Sequence, residues 1–110
     1  MAYFDNNSTT CPSLEVTKAV AHALDEHRPS AIINAAAQAG VDRADAEPEW
    51  TSAVNPEAPA VMAELARDRG IRLVHLSTDY VLDSPERERL SEMEETRPRS
   101  TYARTKLDGE

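Results

Sequence analysis

The sequence predicts an α/β fold built on a parallel β-sheet, from two apolar runs and the helix between them. The runs "AIINAAA" (31–37) and "IRLVHLS" (71–77) are short and continuous, as buried parallel strands are. The stretch "NPEAPAVMAELARDRG" (55–70) places its apolar residues on one helical face. Strand, helix and strand form a βαβ unit. We therefore expect a three-layer α/β/α arrangement with ligands beyond the carboxyl ends of the strands.

The remaining elements follow in chain order. Residues 1–13 are polar and rich in turn formers, so we expect a loosely held segment ahead of a domain that covers residues 14–110. A helix is predicted from Leu14 to His27, and Pro29 ends it because proline disfavours helical geometry at the preceding residue. Residues 38–50 are polar and irregular, which predicts a loop with a short helical start.

The central helix has recognisable ends. Asn55 can cap it, Pro56 suits its first turn, and Gly70 stands where a glycine ends a helix. After the second strand, the charged stretch 84–99 is predicted to form a solvated surface, and "STYARTKLDGE" (100–110) begins another helix.

Composition narrows the class of protein. A chain of 110 residues is one domain's worth, and twelve basic against twenty acidic residues give a net charge of −8. This balance argues against nucleic acid or an anionic membrane as the main partner. Cys11 is the single cysteine, no apolar stretch is long enough to span a bilayer, and the start lacks a signal-peptide pattern. We expect a cytoplasmic protein.

A tyrosine and a lysine near the end of the sequence suggest chemistry. Tyr102 and Lys106 stand four residues apart and share one helix face. A neighbouring ammonium favours the phenolate, so such a tyrosine can give its proton to a carbonyl oxygen as hydride reaches the carbon. Ser77 or Thr78, at the end of the second strand, would orient that oxygen. The same pair also occurs on solvated helix faces, and hydroxyls after a strand are commonly turn residues.

The motifs "STDYVLD" (77–83) and "YARTKLDGE" (102–110), with "INAAA" upstream, resemble the dTDP-4-dehydrorhamnose reductases of the extended short-chain dehydrogenase/reductase superfamily. The resemblance runs from about Leu14 to Glu110 and implies a Rossmann-like, NAD(P)-binding fold. It implies that Thr78 hydrogen-bonds the substrate carbonyl and that Tyr102 is the general acid. Lys106 would lower the pKa of the tyrosine and hold the nicotinamide ribose.

The resemblance also implies binding residues for a cofactor, NADPH or NADH, and for a dTDP-sugar. The cofactor contacts are Ala35, Ala36, Ala37, Asn55, Ser77, Tyr102 and Lys106. The substrate contacts are Thr78, Asp79 and Tyr80. The plainer interpretations are close strand–helix packing for the alanines and a packed aromatic for Tyr80. No metal site is expected, because His22, His27 and His75 are scattered along the chain.

The sequence departs from the family in its glycines. Gly40, Gly70 and Gly109 cannot form the glycine-rich turn that holds a cofactor pyrophosphate, so the first strands of the sheet are expected to be missing. We expect a fragment with weak or absent cofactor binding and negligible turnover alone. Gln38 replaces a tyrosine common in the family, and Ser84 replaces a glycine.

Two other functions stay open. Reductase-like folds also serve as regulatory subunits of methionine adenosyltransferase, so the chain could be a non-catalytic interaction module completed by a homo-oligomer or by another chain. The first 18 or so residues, with "DNNSTT", resemble the start of the cysteine desulfurases, which are pyridoxal-phosphate enzymes. A remnant of such an enzyme is the third hypothesis.

Overall fold

The structure, a computed structural model, describes residues 14–82 and 89–110. The predicted polar segment 1–13 and Ser84 lie outside the described residues, as does most of the desulfurase-like stretch. The elements in chain order are α1 (Leu14–His27), β1 (Ala31–Asn34), α2 (Val41–Ala46), α3 (Pro48–Ser52), a π-helical segment (Ala53–Glu57), α4 (Ala58–Asp68), β2 (Arg72–His75), a 3-10 turn (Asp79–Val81) and α5 (Thr101–Asp108).

The two predicted strands form one parallel pair, which confirms the α/β class. Ile32 lies opposite Leu73, and Asn34 lies opposite His75. Both strands are shorter than their apolar runs, because each is only four residues long. The residues that follow them are therefore free to form turns at the carboxyl edge of the sheet.

The two faces of the sheet differ in burial. α4 packs on β2, and Leu73 and His75 share a cleft with Pro59 at its start. On the opposite face Ile33 is 71% exposed and Val74 49% exposed. The prediction of buried strands is therefore wrong for this face of the sheet in the described part of the chain. No described element covers that apolar face, so the described part lacks one of the two expected helical layers.

Helix α1 has the predicted bounds, and its end shows how proline acts. Arg28, the residue before Pro29, adopts a positive φ of 45°, and its N–H still bonds the Leu24 carbonyl at 2.9 Å. Asp25 and Arg69 form a two-point ion pair, at 2.7 and 3.1 Å, between α1 and the residue after α4. The hydrogen bond from Arg69 lowers the pKa of the Asp25 carboxyl.

Asn55 does not cap the central helix, so that prediction is wrong. The helical run begins at Pro48 and continues to Asp68, with a π-helical segment over Ala53–Glu57 that contains both Asn55 and Pro56. Proline cannot donate a backbone hydrogen bond, and the π-helical turns that proteins contain occur mostly as single-turn bulges inside α-helices. Asn55 consequently faces the interior of the protein and is 0% exposed.

The stretch predicted as loop before this run is mostly helix. α2 and α3 fill residues 41–52, and Ala44 and Thr51 are fully buried within them. Tertiary packing of these small residues outweighs the weak local helical signal. None of the helices in the two described stretches is long and apolar enough to cross a membrane.

Gly70 ends α4 as predicted. It has a φ of +64°, its N–H bonds the Arg67 carbonyl at 3.1 Å, and the N–H of Ile71 bonds the Ala66 carbonyl at 2.9 Å. These two bonds form a Schellman motif, which satisfies carbonyls at the helix end and turns the chain into β2.

Gly70→Ala should lower the free energy of unfolding by about 1–2 kcal/mol, because a Cβ disfavours a left-handed backbone. Nothing lies within 4 Å of the added Cβ, so the effect is one of backbone conformation alone. Denaturant unfolding measures it. Gly40→Ala is the control: Gly40 has a φ of −75° and its added Cβ makes only ordinary contacts. Equal losses in the two variants would contradict the assignment.

Candidate active site

The sequence-predicted site residues gather at the carboxyl edge of the sheet. β1 ends at Asn34 and is followed by Ala35–Ala37, and β2 ends at His75 and is followed by residues 76–80. The strands are parallel neighbours, so both sets of turn residues leave the sheet at the same edge. This is where ligands bind in open parallel sheets.

Lys106 is buried against the end of β2. It lies on α5, is 2% exposed, and its Nζ donates a 2.6 Å hydrogen bond to the Leu76 carbonyl. Nζ also lies 3.3 Å from Nε2 of His75. Burial lowers the pKa of Lys106, and the Glu110 carboxylate partly opposes that shift. A buried lysine held by two fixed partners is unlike the solvated lysine of the plainer interpretation.

Tyr102 lies one helical turn before Lys106, as the spacing predicts. α5 begins after Ser100, whose hydroxyl caps it by accepting the Ala103 N–H at 3.1 Å. The half-buried Tyr102 ring packs edge to face on Tyr80, with ring centroids 6.0 Å apart. This contact brings α5 and the turn after β2 together, so the two motifs that carry the family resemblance meet in space.

The turn after β2 is held by its own side chains. The Thr78 hydroxyl accepts the Tyr80 N–H at 3.4 Å and lies at the same distance from the Asp79 carboxylate. The Ser77 hydroxyl donates to the Glu110 carboxylate. Thr78 is half-buried, whereas Ser77, Asp79 and Tyr80 are exposed. The turn therefore presents hydroxyls and a carboxylate at the open edge of the sheet.

The turn after β1 presents small side chains. Ala35 and Ala36 are exposed and Ala37 is half-buried, so a ligand could approach this backbone closely. Gln38, which comes next, is buried, and its Nε2 has no hydrogen-bond partner among the described residues. Open alanines beside an orphaned buried donor fit a bound polar molecule such as a cofactor amide or ribose.

Asn55 joins three segments behind this edge. Its Oδ1 accepts the Gln38 N–H at 2.8 Å, and its Nδ2 donates to the Gln38 carbonyl at 3.2 Å and to the Thr105 hydroxyl at 3.0 Å. Thr105 directly precedes Lys106. Asn55 thus fixes the turn after β1 and the rotation of α5 at once.

Sequence reasoning missed three members of the site. The sequence patterns gave no role in the site to His75, a packed or hydrogen-bonded histidine within a strand by default, nor to Glu110 or Thr105. Their partners in the site lie 31 to 50 residues away in the sequence, so local spacing could not reveal them. The alternation of side chains along β2 was one available indication, because it places His75 on the same strand face as Leu73. Within residues 14–82 and 89–110, no cluster of His, Cys, Asp and Glu could hold a metal.

Comparison with known proteins gives a consistent result. Residues 5–110 match the family model of the RmlD substrate binding domain. A probable dTDP-4,6-dihydroxy-2-methyloxan-3-one 4-ketoreductase of Streptomyces antibioticus is 47% identical over 100 residues, which are 88% of this chain and 34% of that protein.

Solved structures agree. A dTDP-4-dehydrorhamnose reductase from Clostridium acetobutylicum aligns with a TM-score of 0.78 and 35% identity, over 87% of this chain and 35% of that one. The reductase of Bacillus anthracis str. Ames, in complex with NADP, aligns with a TM-score of 0.78 and 30% identity, over 84% and 33%. These matches confirm the Rossmann-like class. The chain spans about a third of the length of these relatives.

Asn55→Ala should lower the free energy of unfolding by about 2–4 kcal/mol, because it leaves the buried N–H and carbonyl of Gln38 without partners. Denaturant unfolding measures the loss. Ser52→Ala, three residues earlier in the same helical run, is the matched control and should change stability by less than about 1 kcal/mol. A loss at Asn55 no larger than at Ser52 would show that the three bonds stabilise little.

Stability should also fall in acid through His75. Burial and the nearby Lys106 lower the pKa of His75, so below about pH 6.5 the unfolded chain binds more protons at this residue than the folded one. Stability from this group is therefore present above that pH and is lost as the pH falls towards the folded-state pKa. The measurement is unfolding free energy against pH for the chain and for His75→Gln. The exposed residues His22 and His27 are present in both proteins, so the difference between the two curves reports His75 alone. A difference that does not change with pH would contradict this.

Proposed function

The chain belongs to the family of the RmlD substrate binding domain, and from this premise we propose that it supplies the catalytic part of an NAD(P)H-dependent reductase of 4-keto sugar nucleotides. The observation that supports this most is the buried Lys106, hydrogen-bonded to the end of β2 one turn from Tyr102. Tyr102 in turn contacts Tyr80 of the turn after β2. The substrate class proposed is a dTDP-linked deoxy-keto sugar.

Each site residue has a part in the proposed reaction. A nicotinamide cofactor, when bound, supplies the hydride to the substrate carbon. Tyr102 gives its phenolic proton to the carbonyl oxygen, so the ketone becomes a secondary alcohol. The Thr78 hydroxyl hydrogen-bonds the same oxygen and orients it. Lys106 stabilises the phenolate that Tyr102 becomes and restores its proton.

The binding roles divide between the two turns. Ala35–Ala37 would allow close approach of the cofactor, while Asp79 and Tyr80, both exposed beside Thr78, would contact the sugar. Ser77 and Lys106 would hold the nicotinamide ribose. Asn55 is fully buried, so we propose that it serves cofactor binding by holding the turn after β1. These residues form the nicotinamide end of a cofactor site. The three glycines of the sequence do not form the glycine-rich turn that holds a cofactor pyrophosphate.

The non-catalytic interaction module is a second candidate, and one observation favours it. Ile33 of β1, Val74 of β2 and Leu76, which directly follows β2, form an exposed apolar face of the sheet. Leu76 is 50% exposed. A second layer from another chain would remove that surface from water. The experiment below distinguishes the two candidates, because an interaction module does not need the hydroxyl of Tyr102.

A hybrid reductase tests the proposed function. Residues 14–110 would replace the matching segment of the Clostridium acetobutylicum reductase, and NADPH oxidation would be followed with a dTDP-4-keto-6-deoxy sugar. Tyr102→Phe in this hybrid should lower kcat by about 10²–10⁴-fold, the usual contribution of a general acid. Arg104→Gln, an exposed position on α5, is the control and should leave kcat within a few fold.

Two results would contradict the proposal. One is a folded hybrid, shown by circular dichroism, that lacks turnover with Tyr102 in place. The other is a Tyr102→Phe hybrid as active as the Arg104→Gln control. The first result would favour the interaction module.

A further inference from the structure

The side chains of Asn34, His75 and Lys106 contact one another in a row, from the end of β1 across the end of β2 to α5. Nδ2 of Asn34 lies 3.0 Å from Nδ1 of His75, and Nε2 of His75 lies 3.3 Å from Nζ of Lys106. We propose that His75 is a positioning residue for Lys106, with its imidazole locked by Asn34 so that the Nε2–H faces Nζ. The role in reduction rests on the proposed function, whereas the locked imidazole is a property of the fold.

The register of the sheet explains why Asn34 and His75 meet. They are direct partners across the parallel pair β1 and β2, so their side chains leave the sheet on the same face. Asn34 is buried and His75 is half-buried on that face. A shift of the register by one residue would place the two side chains on opposite faces of the sheet and remove the contact between Asn34 and His75.

The orientation of the Asn34 amide fixes the tautomer of His75. Oδ1 of Asn34 accepts the Ala36 N–H at 3.1 Å, so the oxygen faces Ala36 and the amino group faces His75. An amino group can only donate, so Nδ1 of His75 must accept. In a neutral imidazole the proton is then on Nε2. Burial and Lys106 keep His75 neutral by lowering its pKa.

This tautomer acts on Lys106. The Leu76 carbonyl accepts one Nζ hydrogen at 2.6 Å, and the Nε2–H of His75 faces Nζ across 3.3 Å. A neutral amine can accept that hydrogen, whereas an ammonium cannot. Glu110, at the end of the chain after α5, favours the ammonium. Asp108 and Glu110 share the cleft beside His75. His75 and Glu110 thus act on the charge of Lys106 in opposite directions.

The consequence for the site is a lysine with a fixed position and an adjustable charge. Nζ is held between Leu76 and His75, one helical turn from Tyr102. An imidazole donor at this point eases the loss of a proton from Lys106, which is what the re-protonation of Tyr102 requires. His75 reaches the reaction only through Lys106, so its role is positioning.

The test measures the titration of the two lysines, because the sequence has only Lys18 and Lys106. The ε-carbon resonances of the 13C-lysine-labelled 110-residue chain would be followed against pH, with exposed Lys18 as internal reference. His75→Phe should move the midpoint of Lys106 upward and leave Lys18 unchanged, because it removes the donor that faces Nζ. If Nε2 accepted from an ammonium, the same substitution would move that midpoint downward.

Leu73→Val is the matched control, since Leu73 lies two residues earlier on the same strand face. It should leave the Lys106 midpoint in place. A downward or absent shift in His75→Phe, an equal shift in Leu73→Val, or identical titrations of the two lysines in the unsubstituted chain would each overturn the proposal.

A second measurement does not depend on substituting His75. In a His22→Gln, His27→Gln chain, the imidazole 15N shifts report His75 alone, and the proton should be on Nε2. Asn34→Asp should move it to Nδ1, because a carboxylate accepts from Nδ1–H. A proton on Nδ1 of His75 in the protein that retains Asn34 would overturn the proposal. Neither measurement uses cofactor or substrate, so failure of the hybrid reductase would leave both results standing.

Discussion

The site depends on one buried amide. The side-chain oxygen of Asn55 accepts the Gln38 N–H, and its amino group donates to the Gln38 carbonyl and to the Thr105 hydroxyl. No part of Asn55 is exposed. A buried backbone N–H and carbonyl must be paired, and here a side chain pairs both because the turn after β1 has left the sheet. The bond to Thr105 sets the rotation of α5, which directs Lys106 to the Leu76 carbonyl.

The π-helical segment makes this possible. Pro56 breaks the regular ladder one residue after Asn55, and the wider turn rotates Asn55 inward. In a helix beginning at residue 55 the same side chain would cap its own backbone, as local sequence rules predict. The rules failed here because the partners of Asn55 lie 17 and 50 residues away, where no local pattern reaches.

Other features followed from the sequence because local chemistry determines them. The ends of α1 and α4 come from Pro29 and Gly70, and the spacing of Tyr102 and Lys106 places both on α5. The apolar runs located both strands but misjudged their burial. Continuous apolarity indicates cover on both faces, and among the described residues nothing covers Ile33 and Val74. The role of His75 depends on strand register and amide orientation, which a sequence pattern does not contain.

We propose that this chain carries the nicotinamide end of a cofactor site. Saturation-transfer NMR with NADPH tests it most directly, because it reports which ligand protons touch the protein even when binding is weak. Transfer to the nicotinamide and its ribose that exceeds transfer to the adenine, and that is lost in Lys106→Met, is the predicted result. Transfer confined to the adenine, or no transfer at all, would contradict it.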